Sequence, residues 1–164
     1  MSLNIRTATI EDVPSILEIV NYNIVNTTSI YDYNPKAIED MEVWFSEKQS
    51  AGWPVLVSEE NGVVTGYATY GTFRVKEGYK FTVEHSVYVH HSHHGKGIGA
   101  ALLEHLIHNA KTNGCHVMVG CIDAENKGSI AFHKKFGFTE AGLLKEAAFK
   151  FDNWLDLQFM QLIL

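Results

Sequence analysis

A β-prone run, a glycine-rich turn and an amphipathic helix follow one another directly over residues 81–111. Side chains of different character alternate through FTVEHSVYVH, which predicts an extended strand with two distinct faces. In the helix that follows, the apolar residues have helical spacing and form one stripe: Leu102, Leu103, Leu106, Ile107 and Ala110. A strand that leads through a tight turn into such a helix favours a fold in which helices cover a sheet.

The rest of the chain continues the alternation and predicts the order β-α-α-β-β-β-α-β-α-β-β. Thr9 is the expected N-cap of the first helix, with Asp12 at its capping-box position, and Asn61-Gly62 is a β-hairpin turn. The other expected elements are a strand at 3–8, a helix from Asn34-Pro35 towards Gly52, a strand at 115–122, a helix at 129–136 ended by Gly137, and strands at 143–151 and 154–164 joined at Asp152-Asn153.

No linker, repeat or low-complexity tract interrupts this order, so residues 1–164 are predicted to form one domain. The fold class is predicted as α/β (α+β), with a mixed, mainly antiparallel central sheet flanked by helices. A net charge of −6 argues against a nucleic-acid partner. No apolar run reaches the roughly 20 residues that a bilayer requires, so no membrane contact is expected.

Both cysteines, Cys115 and Cys121, lie in the same predicted strand. An extended strand separates them by about 20 Å, beyond the reach of a disulfide. The N-terminal residues lack the basic and then apolar pattern of a secretory signal. A reducing, cytoplasmic location is therefore expected.

The stretch HHSHHGKGIGA allows three interpretations. Its GKGIGA portion matches the dinucleotide-binding pattern G-x-G-x-x-G/A. That pattern also requires an acidic residue about 20 positions later at the end of a strand, and the next strand contains none before Asp123. The dinucleotide interpretation is therefore disfavoured.

A metal site could use His90, His91, His93 and His94. Metal sites need ligands that converge, which adjacent histidines in one loop seldom provide, so we expect no resident metal. The third interpretation is a phosphate cradle, because a glycine-rich turn at a helix start presents free N–H groups to an anion. Lys96 adds a positive charge, and this interpretation accounts for the most residues.

The longer segment EHSVYVHHSHHGKGIGAALL resembles the strand–loop–helix core of the GCN5-related N-acetyltransferases (GNAT), whose loop follows Q/R-x-x-G-x-G/A. Here His94 stands where the family has Gln or Arg. The segments TVEHSVYV, NKGSIAFHKKFGF and FKFDNWLDLQFMQLIL are most similar to the phosphinothricin and methionine sulfoximine acetyltransferases. The resemblance implies a GNAT fold, acetyl-CoA as co-substrate without a metal, and a homodimer.

The resemblance also assigns roles. It implies that Glu84 is the general base for the amine, although a strand-face carboxylate in an ion pair is the simpler alternative. It implies that His133 assists catalysis, the alternative being a structural histidine. The residues implied to bind acetyl-CoA are Val87, Tyr88, Val89, His94, Gly95, Lys96, Gly97, Ile98, Gly99, Ala100, Asn126 and Ser129, of which Asn126 could equally be only an N-cap.

For the substrate, the informative segment is GTFRVKEGYKFTVE. Arg74 matches a basic position of the family group that suits a bidentate contact with an amino-acid carboxylate, the alternative being a solvated surface arginine, and Tyr79 and Phe81 could form a pocket wall. In the tail, Lys150, Asn153 and Trp154 match the same family group and could shape a pocket near a subunit boundary.

The sequence thus predicts direct transfer of acetyl from acetyl-CoA, in a ternary complex, to the amino group of a small amino-acid-like compound. Methionine sulfoximine, methionine sulfone and phosphinothricin are the expected examples. The alternatives are a GNAT enzyme for another amine (a polyamine, an aminoglycoside or a protein N-terminus) and a non-catalytic acyl-CoA sensor.

Overall fold

The computed structural model describes residues 3–164, so the first two residues of the predicted domain lie outside it. Within that range the helices and strands follow the predicted order. They are β1 (Asn4–Thr7), α1 (Val13–Asn26), α2 (Ile38–Ser50), β2 (Val55–Glu60), β3 (Val63–Thr72), β4 (Thr82–Val89), α3 (Ile98–Thr112), β5 (Val117–Asp123), α4 (Lys127–Lys135), β6 (Thr139–Lys150) and β7 (Asn153–Ile163).

The strands form one sheet in the order β1-β2-β3-β4-β5-β7-β6. Every neighbouring pair is antiparallel except β4 and β5, which run parallel. The apolar stripes of α1 and α2 pack in one buried cluster, and that of α3 packs in another with residues from β3, β4 and β5. The predicted α/β class with a mixed, mainly antiparallel sheet is confirmed.

The only parallel pair among the described strands also has the fewest paired residues. Pairing between β4 and β5 covers Thr82 with Val117, Val83 with Met118 and Glu84 with Val119, and ends there. Both strands continue beyond this point, β4 to Val89 and β5 to Asp123. The sheet therefore opens into a fork after Glu84, with its other neighbours still paired on either side.

Local signals in the sequence placed most elements correctly. Thr9 donates its N–H to the Asp12 carboxylate at 2.8 Å, as a capping box requires. Asn61 and Gly62 both have positive φ, 53° and 78°, which is the geometry of a type I′ hairpin turn. Gly137, with φ of 89°, follows α4 at its expected C-terminal position.

Three predicted boundaries are wrong. Strand β6 begins at Thr139 and not at residue 143, because Thr139 and Glu140 already pair with Gln161 and Met160 of β7. Helix α2 begins at Ile38 and not at Asn34-Pro35, because the side chain of Asn21 accepts the Lys36 N–H at 2.8 Å and donates to the Lys36 carbonyl at 3.0 Å, which holds this residue outside the helix. The turn between β6 and β7 lies at Phe151-Asp152, one residue earlier than predicted, with φ of 51° and 58°.

Candidate active site

A cavity of about 720 Å³ opens in the fork between β4 and β5. Its walls come from the end of β4, the glycine-rich loop, the first turn of α3, the end of β5 and the first turns of α4. Most of the predicted acetyl-CoA residues line it: Val87, Tyr88, Val89, His94, Gly95, Gly97, Ile98, Gly99, Ala100, Asn126 and Ser129. The fork thus brings together segments that are about 40 residues apart in the sequence.

The edge of β4 that faces the fork offers backbone groups. The His90 N–H donates to Thr65 of the β3 side at 2.9 Å, and the Phe81 carbonyl accepts from His116 on the β5 side. Because backbone directions alternate along a strand, Val87 and Val89 also face the β5 side. No described strand pairs with β4 there, so the Val87 N–H is available to a ligand.

Unlike the Val87 N–H, the backbone groups of Val89 and Tyr88 already have partners. The Val89 carbonyl already accepts a hydrogen bond from Nε2 of His94 at 3.0 Å. By the same alternation, the backbone of Tyr88 faces β3 and pairs opposite Tyr67. The side chain of Tyr88 lines the cavity, and its hydroxyl donates to the Ser29 carbonyl at 3.2 Å.

The glycine-rich loop forms an open cradle at the start of α3. Gly95 and Gly97 have φ of +80° and +77°, a conformation that only glycine adopts without strain. The first α-helical hydrogen bond runs from the Ala101 N–H to the Gly97 carbonyl, so the N–H groups from Ile98 to Ala100 precede it. These donors and the positive end of the helix dipole suit a pyrophosphate.

The charged and imidazole side chains of this loop contact one another and residues outside the cavity: Lys96 and His93 share Glu60, and the rings of His90 and His91 stack. Lys96 reaches Glu60 at 3.4 Å and does not line the cavity. His90 contacts Glu18 at 3.2 Å, and His91 stacks on Tyr22. Across residues 3–164, no group of three or more His, Cys, Asp or Glu side chains is arranged to hold a metal ion.

Glu84 lines a second cavity of about 420 Å³ on the α2 side of the sheet. Ser86, two residues further along the same face of β4, lines both cavities. Trp44 and Trp53 contribute apolar walls to the second cavity. Glu84 is therefore placed beside the fork, where a carboxylate could take a proton from an amine that approaches the end of the first cavity.

Lys48 lies in the second cavity together with Glu84. Its ammonium donates to the Tyr70 carbonyl at 2.9 Å. Burial lowers the pKa of Lys48, and the attraction of Glu84 acts in the opposite direction. Lys48 and Glu84 are therefore oppositely charged side chains that line the same cavity.

Cys121 lies across the fork, where it lines the first cavity. Burial, followed by the charge of Glu84, raises the pKa of its thiol to about 12. A thiol with such a pKa is a poor nucleophile, because the thiolate is the reactive form. Cys115 and Cys121 are both free, and the pKa of Cys115 is also raised by burial.

The first turns of helix α4 form another wall of the first cavity. Asn126 caps this helix, since its side-chain oxygen accepts the Ser129 N–H at 3.0 Å. His133 is 5% exposed, and both of its ring nitrogens have partners. Its Nδ1 lies 2.7 Å from the Ser129 carbonyl and its Nε2 lies 3.1 Å from Nε2 of His85, a residue that our sequence analysis did not single out.

The three predicted substrate residues lie apart from both cavities. The guanidinium of Arg74 sits over the ring of Phe73, 5.4 Å from its centroid. Tyr79 is 40% exposed and Phe81 is 55% exposed. Their segment between β3 and β4 contributes no wall to either cavity in this chain. Their substrate contacts remain predictions.

Two of the tail residues, Lys150 and Trp154, differ in burial. Lys150 is 3% exposed, and its ammonium donates to the carbonyl groups of Ile24, Thr27 and Ile30 at 2.7, 2.8 and 2.5 Å. It also borders a cavity of about 240 Å³ with Tyr33. Trp154, by contrast, is 63% exposed.

A family model described as the acetyltransferase (GNAT) family matches residues 20–138, a range that includes the fork, the glycine-rich loop and α4. The chain belongs to the GNAT family of acetyltransferases. The L-methionine sulfoximine/L-methionine sulfone acetyltransferase of Salmonella typhimurium is 46% identical over 160 residues, which is 98% of this chain and 94% of the relative.

Solved GNAT structures have the same fold. An N-acetyltransferase from Staphylococcus aureus Mu50 superposes with a TM-score of 0.98, 47% identity and 99% coverage of both chains. A phosphinothricin acetyltransferase from Sinorhizobium meliloti in complex with AcCoA superposes with a TM-score of 0.96 and 37% identity, covering 100% of this chain and 89% of that one. The predicted family and its phosphinothricin and methionine sulfoximine group are confirmed.

Sequence reasoning missed two side chains of this GNAT site. His85 shares the apolar face of β4 with Val83, and a histidine on such a face was a usable signal. Lys48 carried no signal of its own, because lysine near the end of a helix is usually solvated. Its place beside Glu84 depends on how α2 packs on the sheet.

Proposed function

We propose that this protein is an acetyl-CoA-dependent N-acetyltransferase that acetylates the amino group of small amino-acid-like compounds. The observation that carries the proposal is the fork: an open strand edge and a glycine cradle face one cavity, and Glu84 lines a second cavity that shares Ser86 with the first. The first cavity offers donors to a pyrophosphate and to a thioester carbonyl, and the second offers a carboxylate to an amine.

The residues of the chain would act as follows. Helix α3 and its loop bind the pyrophosphate, while Val87 donates its N–H to the thioester oxygen and stabilises the charge that develops there. Glu84 accepts a proton from the substrate ammonium, directly or through water. The amine then attacks the carbonyl carbon, a C–N bond forms and the C–S bond breaks. Of the two protons that the ammonium loses, one goes to the thiolate and the other to solvent through Glu84.

Direct transfer in a ternary complex is supported by the state of Cys121. It is the one cysteine that lines the cavity among residues 3–164, and its raised pKa keeps the thiol protonated. An acetyl-cysteine intermediate would need the thiolate at that position.

The substrate class is inferred from relatives. The Salmonella typhimurium relative is named for methionine sulfoximine and methionine sulfone, and an Escherichia coli relative, 45% identical, is named an L-amino acid N-acyltransferase. We propose that Arg74 binds the carboxylate of such compounds and that Tyr79 and Phe81 flank it. A polyamine is cationic and has no carboxylate, so Arg74 would repel it.

The proposal is tested by measuring thiol release from acetyl-CoA with four acceptors in parallel: methionine sulfoximine, phosphinothricin, spermidine and a peptide with a free N-terminal alanine. We expect release with the first two and none above background with the others. Release only with spermidine or the peptide would overturn the substrate class. Acetyl-CoA binding with no release from any of the four would favour the non-catalytic sensor.

We also propose that residues 1–164 act as one domain in a cytoplasmic homodimer with no nucleic-acid partner. Strand β6 is an edge of the sheet, and it exposes Leu143 and Leu144 at 45% and 50%. An exposed apolar edge strand is normally covered in solution. Among residues 3–164, no helix is both long enough and apolar enough to cross a membrane.

Sedimentation equilibrium is expected to give twice the mass of one chain. The double variant Leu143→Lys, Leu144→Lys places two like charges on each copy of the edge strand and should shift the protein to monomer. The exposed Val43→Lys variant on α2 is the matched control. A wild-type monomer at micromolar concentration would contradict the dimer.

A further inference from the structure

Two buried histidines meet at the base of the fork. The Nε2 atoms of His85 and His133 lie 3.1 Å apart, and their rings stack with centroids 5.0 Å apart. His85 is 7% exposed and His133 is 5% exposed. Two ring nitrogens at this separation form a hydrogen bond, so one of them carries a proton and the other does not.

The direction of this hydrogen bond follows from the second nitrogen of His133. Its Nδ1 lies 2.7 Å from the Ser129 carbonyl, and because a carbonyl oxygen only accepts, Nδ1 carries the proton. A neutral His133 then has an unprotonated Nε2, so His85 donates from its own Nε2. Nδ1 of His85 remains a buried acceptor with no partner in the described chain.

The surroundings of the pair favour two neutral rings. Burial and the neighbouring His133 lower the pKa of His85 to about 3, and burial also lowers the pKa of His133. A protonated His85 would be a buried charge, and burying an unpaired charge is costly. The groups that face the pair from β5, α4 and the segment before β6 do not titrate: Gly120, Ser129, Phe132 and Phe138. On β3, Tyr70 is paired opposite His85, and burial raises the pKa of its hydroxyl, so it is neutral as well.

The pair occupies the point where the strands separate. Glu84 and Val119 are the last matched residues of β4 and β5, so His85 and Gly120 come next on their strands. A Cβ atom on Gly120 would lie 3.1 Å from His85 Nε2. The two imidazoles therefore fill the space that a side chain of β5 would otherwise take, and their hydrogen bond ties β4 to α4 across that strand.

We propose that His85 is a positioning residue, and that the neutral His85–His133 pair fixes the fork at the width that the pantetheine arm of acetyl-CoA requires. This inference rests on the proposed function. His133 accepts the hydrogen bond of His85 and exchanges no proton with the amine or the thiol. Val87 follows two residues after His85 on the same strand edge, so a shift of His85 displaces the donor for the thioester.

The first test is NMR detection of the imidazole nitrogens in the wild-type protein, which needs neither a variant nor a substrate. We expect a proton on Nε2 of His85 and on Nδ1 of His133 at neutral pH, no titration of His85 from about pH 8 down to about pH 5, and a pKa of His133 below the value of about 6.5 of a free histidine. A proton on Nε2 of His133 at neutral pH, or a His133 pKa at or above that of a free histidine, would overturn the proposal.

The second test separates positioning from proton transfer. His85→Leu removes the donor and should raise the KM for acetyl-CoA about tenfold, the effect of one lost hydrogen bond, with less effect on kcat. His85→Gln keeps an amide N–H and should restore most of the affinity, whereas the same leucine substitution at exposed His108 should change nothing. An unchanged KM in His85→Leu would contradict the inference.

His133→Gln completes the series, because its side-chain oxygen can still accept from His85 but cannot exchange protons at neutral pH. We expect kcat to stay within about threefold of the wild type, well short of the roughly 100-fold loss typical of a missing acid or base. A roughly 100-fold loss of kcat at unchanged KM would instead show that His133 is a catalytic residue. If no amine proves to be a substrate, the Kd of coenzyme A replaces KM, so the pair can be tested even when the proposed function fails.

Discussion

Replacing Glu84 with glutamine is expected to lower kcat by about 10²–10⁴-fold while the affinity for acetyl-CoA stays unchanged. Glutamine has nearly the same shape, but it cannot take the proton of the ammonium. Acetyl-CoA affinity should survive because the cradle, the open edge of β4 and α4 are built from other residues. The measurement is the steady-state rate of thiol release across the pH range, together with acetyl-CoA binding by calorimetry.

The pH dependence identifies the role of Glu84. A substrate ammonium loses its proton without help at high pH, so the deficit of Glu84→Gln should narrow as the pH rises. Glu104→Gln on the exposed face of α3 is the matched control, and it should have wild-type kinetics. A Glu84→Gln enzyme with an undiminished rate at every pH would exclude the general-base role.

The fold was predictable because its signals are local. Period-two and helical spacing, the Asn61-Gly62 turn and the Thr9 cap each depend on residues within a few positions of one another, and each lies where it was expected. The turn at Phe151-Asp152 was not predictable, because phenylalanine rarely adopts positive φ. There the pairing of β6 with β7 determines the turn and overrides the preference of Asp152-Asn153.

The site was predictable where it follows from one contiguous segment. The alternation of β4 placed Glu84 and Ser86 on one face and Val87 on the other, and the closely spaced glycines predicted the cradle. The fork itself was not predictable from local spacing, because it depends on where the pairing between β4 and β5 ends, and the paired residues lie more than 30 positions apart in sequence. The His85–His133 contact depends on that fork and could not be deduced before it was known.

Lys150→Met should destabilise the protein by about 3 kcal/mol, which corresponds to a fall in Tm of roughly 10 °C for a chain of this size. Lys150 is 3% exposed and its ammonium binds three carbonyl groups, of Ile24 near the end of α1 and of Thr27 and Ile30 in the following loop. Methionine matches the length of lysine but donates nothing, so the three carbonyls lose a shared partner that water cannot easily replace.

The same substitution should also affect the site, because the loop that Lys150 holds carries Ser29 to the wall of the first cavity. Thr28 of this loop donates to the Asp123 carboxylate at the end of β5. We therefore expect a higher KM for acetyl-CoA at a temperature where the variant is still folded. Chemical unfolding and steady-state kinetics measure the two effects, with Lys135→Met on the exposed side of α4 as the control. Equal stability of the two variants would mean that the three hydrogen bonds of Lys150 contribute no more than the solvation they replace.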